Sequence, residues 1–259
     1  MSSALPNRSV DLRQATWAWS TLFLLALLAW ICTIAQARAM GNGSGTMGMP
    51  MGAFLLMWIV MMAAMMFPAI APVAILWSRG IVLSASAQSH TWRIILFVAG
   101  YLLAWGAIGV IAYFAFGAFG NAISRFPNSA NYFGASVFAV AGIFQFTRLK
   151  DICLRHCRSP LSALAHYTAF RGPAIDLRVG LHHGLYCGGC CWGLMLVLVV
   201  VGVMNIAIMA ALTAVILLEK LSPSGPFLAR VVGLVMLVLA GFAFFAPQLF
   251  PGLHVCVCP

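Results

Sequence analysis

Acidic residues are nearly missing from this chain: Asp11, Asp151, Asp176 and Glu219 are the only carboxylates among 259 residues. Charged residues of both signs make up 7% of the sequence, against about a quarter in soluble domains. With so few carboxylates there is no paired-acid site for general acid–base hydrolysis. A Gly-rich phosphate loop and a Ser-His-Asp arrangement are absent too, so hydrolytic chemistry has no support. Long polar stretches are also lacking. None exceeds about 35 residues, too short for a separate folded soluble domain.

Apolar residues fill the space instead. They make up 63% of the chain, and the mean hydropathy is +1.03. This is the composition of an integral membrane protein, read as one membrane domain over 1–259. The formal charge of +10 does not point to nucleic acid. The basic residues sit beside the apolar runs, where they set topology and meet anionic lipid.

Those runs predict an all-α polytopic bundle with spans near 16–36, 53–77, 94–119, 131–147, 185–203, 205–220 and 227–248. The fifth and sixth are nearly contiguous. A single helix over both would be far longer than a hydrocarbon core of about 30 Å, and Gly202-Val-Met-Asn205 is the expected break. Seven spans with the N-terminus cytoplasmic put twelve basic residues inside and leave Arg38 and Arg125 outside. Six spans would move Lys220 and Arg230 outside, so the positive-inside rule favours seven. The run from Trp17 to Ala35 exceeds a signal-peptide core, so it is read as a retained span despite Ala35-Gln-Ala37. The main loop, 148–184, is then cytoplasmic, with an interfacial helix expected around Leu161–Phe170.

Two polar islands flank this loop: Cys153-Leu-Arg-His156-Cys157, and His182-His183-Gly-Leu-Tyr-Cys187-Gly-Gly-Cys190-Cys191. Thiolate and imidazole are the ligands of soft and borderline metals. In a reducing compartment such cysteines are ligands or reactive thiols rather than disulfides. Cys153 and Cys157 would share a face if the fourth span's helix continues, with His156 beside Cys153. Lys150, Arg155 and Arg158 are expected to lower the pKa of those thiols. Cys187-Gly-Gly-Cys190 reads as a metal knuckle, with Cys191 and His182 as auxiliary ligands. The competing reading is that cysteine packs as a small hydrophobe, and for the isolated Cys32 that reading is preferred. His254-Val-Cys256-Val-Cys258 forms a second group at the other end, where a bend would be needed to bring both sulfurs together.

Methionine is clustered as well. Met40, Met47, Met49 and Met51 lie in the first outside loop. Met57, Met61 and Met65 form a stripe along span two. Thioethers select copper(I), so Met61 and Met65 are candidate contacts, although a helical methionine stripe also suits plain packing. Pro68 and Pro72 should kink the same span. Glu219 is the one carboxylate near the end of a predicted span and a second-tier candidate, with Lys220 as its expected partner.

Met57-Trp-x-Val-Met61-Met62-Ala-Ala-Met65-Met66-x-Pro68, Leu149-Lys150-x-x-Cys153-Leu-x-x-Cys157-Arg-Ser-Pro160, Gly184-x-x-Cys187-x-x-Cys190-Cys191-Trp192, Gly202-x-Met204-Asn205 and Glu219-Lys220 occur in this order. The series resembles a bacterial family of predicted metal-binding integral membrane proteins, over about residues 50–240. The resemblance implies metal binding and no particular reaction. The reading is therefore a multi-pass protein of the bacterial inner membrane that binds copper(I), or failing that zinc, for transport or handover to a metallochaperone or membrane complex. Its site residues would be Cys153, Cys157, Cys187, Cys190, Cys191, His156, His182, Met61 and Met65. A membrane thiol–disulfide oxidoreductase and a structural subunit or assembly factor are the two alternatives.

Overall fold

The structure is a computed structural model and describes residues 8–40, 46, 48–80, 90–126, 129–167, 169–170, 172–246, 249–250 and 253. Met47 and the Cys256/Cys258 group lie outside the described residues. Among the described residues there are nine helices and no strand. These are α1 (Arg8–Met40), α2 (Met51–Gly80), α3 (His90–Arg125), α4 (Ala130–Phe144), α5 (Arg148–Arg158), α6 (Pro160–Tyr167), α7 (Ile175–Val201), α8 (Ile206–Leu221) and α9 (Gly225–Phe245).

Five of them carry stretches long and apolar enough to cross a bilayer: Trp19–Ala39, Met51–Trp77, Thr91–Arg125, Ile175–Val201 and Gly225–Phe245. The all-α membrane bundle implied by the apolar runs is therefore observed. The other two expected spans correspond to short helices. α4 has 15 residues, and α8 has 16, or about 24 Å of helix against a core of about 30 Å. α2 runs unbroken through Pro68 and Pro72.

The expected break after the fifth span is present. α7 stops at Val201, Gly202 takes a φ of 94° that favours glycine, and the Asn205 side chain caps α8 by accepting from the Ile208 amide at 3.2 Å. The start of that span is a correction: α7 begins at Ile175, not near 185. Asp176 in its first turn accepts from Trp77 Nε1 at 2.8 Å and from Arg93 Nε at 3.1 Å, pinning the helix start to α2 and α3. The supposed loop 148–184 is accordingly mostly helix: α5, α6 and the first turns of α7.

α3 packs along α7, α4 along α9, and α1 along α2. The α3–α7 contact is close because Gly180, Gly184 and Gly188, four apart, share one face of α7. A Cβ at Gly180 would collide with the Phe97 carbonyl, and one at Gly184 would sit 2.6 Å from Ala104 Cβ. α2 and α7 are mostly enclosed, whereas α1 and α9 turn broad apolar faces outward, so the bundle's centre lies beside α2 and α7.

Candidate metal centre

α5 is a helix of its own rather than the continuation of α4. Thr147 caps it by accepting from the Lys150 amide at 3.3 Å. Asp151 in its first turn and Arg155 and Arg158 in its last complement the helix dipole. Lys150, Cys153, Leu154 and Cys157 are buried at i, i+3, i+4 and i+7, so one stripe of α5 faces the bundle. Cys153 and Cys157 thus share a face, though not on the helix expected to carry them.

α7 passes through Cys187–Cys191 without interruption. The metal knuckle expected at Cys187-Gly-Gly-Cys190 is not formed, and the glycines give the reason. A Cβ at Gly188 would collide with Ile108 of α3, and one at Gly189 would lie 2.9 Å from Cys153 Sγ. Both glycines admit close neighbours to a regular helix; neither folds a loop around an ion. Within that helix, Cys190 Sγ and Cys191 Sγ each donate to the Cys187 carbonyl, at 3.1 and 2.9 Å.

The two cysteine islands meet between α5 and α7, where Cys157 Sγ and Cys190 Sγ are 3.9 Å apart. Cys187 Sγ lies 3.0 Å from Lys220 Nζ and 3.0 Å from Tyr101 Oη. Lys220 is 3.9 Å from Met66 Sδ as well. Cys153, Cys157, Cys187, Cys190 and Cys191 are all free and at most 7% exposed. A second polar knot backs them. Lys150 Nζ donates to Glu219 Oε2 and to the Cys190 carbonyl, each at 2.6 Å, and Gln145 Nε2 donates to Glu219 Oε1 at 3.2 Å. The expected Glu219–Lys220 pair does not form, because adjacent residues on a helix point in different directions. Glu219 turns to Lys150, while Lys220 turns to sulfur. A buried ammonium needs a negative partner, and a thiolate at Cys187, 3.0 Å away, would provide one.

A buried group of soft sulfur atoms drawn from two helices is chemistry suited to copper. Residues 55–243 match the model of the copper chaperone family PpoB2. The chain belongs to that family. No curated protein and no solved structure matches it. The copper label falls on nearly the stretch from which the motif resemblance was drawn.

In this member of the copper chaperone family, no three Cys, His, Asp or Glu side chains among the described residues already converge as a metal cage. Cys157 and Cys190 are nonetheless spaced for sharing. Two sulfurs about 2.3 Å from one ion and 3.9 Å apart subtend roughly 115° at it.

His156 and His182 stand apart from the sulfurs. His156 Nε2 bonds Tyr167 Oη at 2.6 Å, which in turn lies 3.1 Å from His183 Nδ1. His182 stacks on His166, with ring centroids 5.2 Å apart. Met61 and Met65 are fully buried on α2, and it is their neighbour Met66 that reaches the polar group. Cys32 lies exposed on α1.

The expected pKa lowering on α5 is also corrected. Burial, reinforced by Cys190, pushes the Cys153 thiol up, and Lys150 opposes this only in part. Contact with Cys190, then burial, pushes Cys157 well up. Arg155 is exposed, where water screens its charge, so desolvation wins. Burial, then His182 and His166, lowers His156 to about 4, leaving it a neutral imidazole at physiological pH. Sequence reasoning did not find Tyr101, Gln145, Met66 or Tyr167 as neighbours of the site. Their only sequence signal is polarity or softness inside an apolar run.

Proposed function

We propose that this protein carries copper(I) as cargo inside the membrane bundle, with Cys157, Cys187 and Cys190 as the principal ligands. Cys153 and Cys191 stand next to them, and Met66 supplies a thioether nearby. His156 and His182, with Met61 and Met65, are outer candidates along the ion's path. The observation that carries the reading is the meeting of Cys157 with Cys190, beside a Cys187 sulfur faced by the buried ammonium of Lys220.

Charge favours copper(I). One thiolate already offsets Lys220, so one further thiolate balances a monovalent ion and leaves the buried site neutral. Zinc, the alternative cargo, would need yet another thiolate and prefers four ligands in a tetrahedron. The buried position and the chaperone family suit handover to a metallochaperone or a larger membrane complex. We place the chain in a bacterial inner membrane, in contact with lipid along α1, α3 and α9.

The test is anaerobic copper(I) titration of detergent-purified protein against a chromophoric chelator. Wild type is expected to take one equivalent, and Cys187→Ser/Cys190→Ser to lose more than about a hundredfold in affinity, since even outer-shell changes cost 10–100-fold. Full stoichiometry and affinity in that variant would remove the cysteines from the site. A wild-type protein that takes no metal but oxidises its thiols reversibly in pairs would instead favour the thiol–disulfide oxidoreductase.

A further inference from the structure

Away from the cysteines, α5 and the start of α9 enclose a small cavity of about 160 Å³ lined by Asp151, Leu154, Arg155, Arg158, Pro226 and Arg230. Three arginines and a single acid, Asp151, line it, in a chain that holds only four acidic residues. Arg158 is held in place from behind, with Nη2 donating to the Ser222 and Pro223 carbonyls at 2.7 and 2.8 Å. Its Nε is buried beside Gly225 with no hydrogen-bond partner. The first turn of α9 adds the positive end of a 21-residue helix dipole.

The cavity's level in the membrane follows from α9, whose apolar span begins at Gly225. Arg230 is five residues further on, about 7.5 Å inside the span along the axis, and its long side chain, tilted back toward the helix N-terminus, carries the guanidinium up to the headgroup level. Phe227, next to the lining Pro226, and Leu221, next to the Ser222 that Arg158 bonds, are 69% and 59% exposed, so exposed apolar side chains adjoin the cationic lining in the chain. A free anion has no use for such neighbours; a phosphate diester with acyl chains attached has. At about 30 Å³ per water, the cavity has room for roughly five waters, enough for a phosphate and part of its substituent.

We propose that this cavity is a binding site for the phosphate group of an anionic phospholipid, gripped by Arg155, Arg158 and Arg230, with the acyl chains running down the outer face of α9. The site does not depend on the copper reading.

The test is lipid retention by native mass spectrometry, with thermal unfolding in detergent alongside. The probes are phosphatidylglycerol, phosphatidylcholine and inorganic phosphate, offered to wild type and to Arg155→Gln/Arg230→Gln. Both of those arginines are exposed, so that variant should fold, and Arg158, which supports α8, is left intact. Wild type should retain one phosphatidylglycerol in preference to phosphatidylcholine. Each lost arginine should weaken retention about fivefold and the pair about thirtyfold. Equal retention of the two lipids by wild type, or undiminished phosphatidylglycerol binding by the folded variant, would overturn the assignment. Inorganic phosphate that stabilises wild type as strongly as phosphatidylglycerol does would assign the cavity to a free anion and overturn the lipid reading.

Discussion

Replacing Lys150 with methionine removes a buried charge while keeping most of the side chain's length and volume. Lys150 is 0% exposed and Glu219 1%, and the ammonium bonds both that carboxylate and the Cys190 carbonyl at 2.6 Å. In Lys150→Met the carboxylate keeps only the Gln145 amide. Breaking a buried pair from one side costs about 3–5 kcal/mol, chiefly because the remaining charge is stranded. Glu219→Gln strands the ammonium instead, at a similar cost. The double variant strands nothing and should be only about 1–2 kcal/mol less stable than wild type, for the hydrogen bonds lost. For a chain of this size 1 kcal/mol moves the midpoint by roughly 2–4 °C, so each single variant should unfold about 6–20 °C early and the double about 2–8 °C early. Tryptophan fluorescence during heating in detergent reads this directly. Single variants within about 3 °C of wild type, or a double variant no better than the worse single, would show that this pair does not lock α5 to α7 and α8.

Gly180→Ala drives a Cβ into the Phe97 carbonyl and must part α3 from α7; a loss of about 3 kcal/mol is expected in the same assay. Gly189→Ala meets only the Cys153 sulfur, 2.9 Å from the new Cβ, so its stability cost should be about 1 kcal/mol. If Cys153 is a ligand, copper(I) affinity should fall at least about tenfold in Gly189→Ala; unchanged affinity removes Cys153 from the ligand set. Charge balance around Lys220 predicts about one proton released per copper(I) bound, measurable with an indicator dye in unbuffered detergent. A count near zero or near two would contradict a single resting thiolate.

The helical class and the break at Gly202–Asn205 were legible because each leaves a local mark, an apolar run or a glycine–asparagine turn; Cys153, Cys157, Cys187 and Cys190 stood out as rare side chains in lipid-compatible surroundings, and the structure buries all four. The start of α7 was not legible. Its first ten residues are held by Asp176 against Trp77 and Arg93 and by glycine packing on α3, both long-range contacts. The glycines of Cys187-Gly-Gly-Cys190 were misread for the same reason. Without knowledge of Ile108 and Cys153 as neighbours, glycine suggests a turn; with them, it marks a place where only hydrogen fits. The partners of Glu219 and Lys220 depended on helix phase and on which helix lay opposite, and sequence adjacency pointed to the wrong pairing.

The depth of the sulfur cluster bears on how quickly copper(I) could move if it is the cargo proposed above. Ligand exchange at copper(I) is an associative event: an incoming thiolate must touch the ion before an old one leaves. With Cys187 and Cys190 at 0–1% exposure and Cys157 at 7%, no outside thiol can make that touch while α5 lies on α7. On that reading, turnover would be paced by the opening of a helix rather than by the encounter of two proteins. Any acceptor that levers α5 away would act as a catalyst of release, whatever its own affinity for copper.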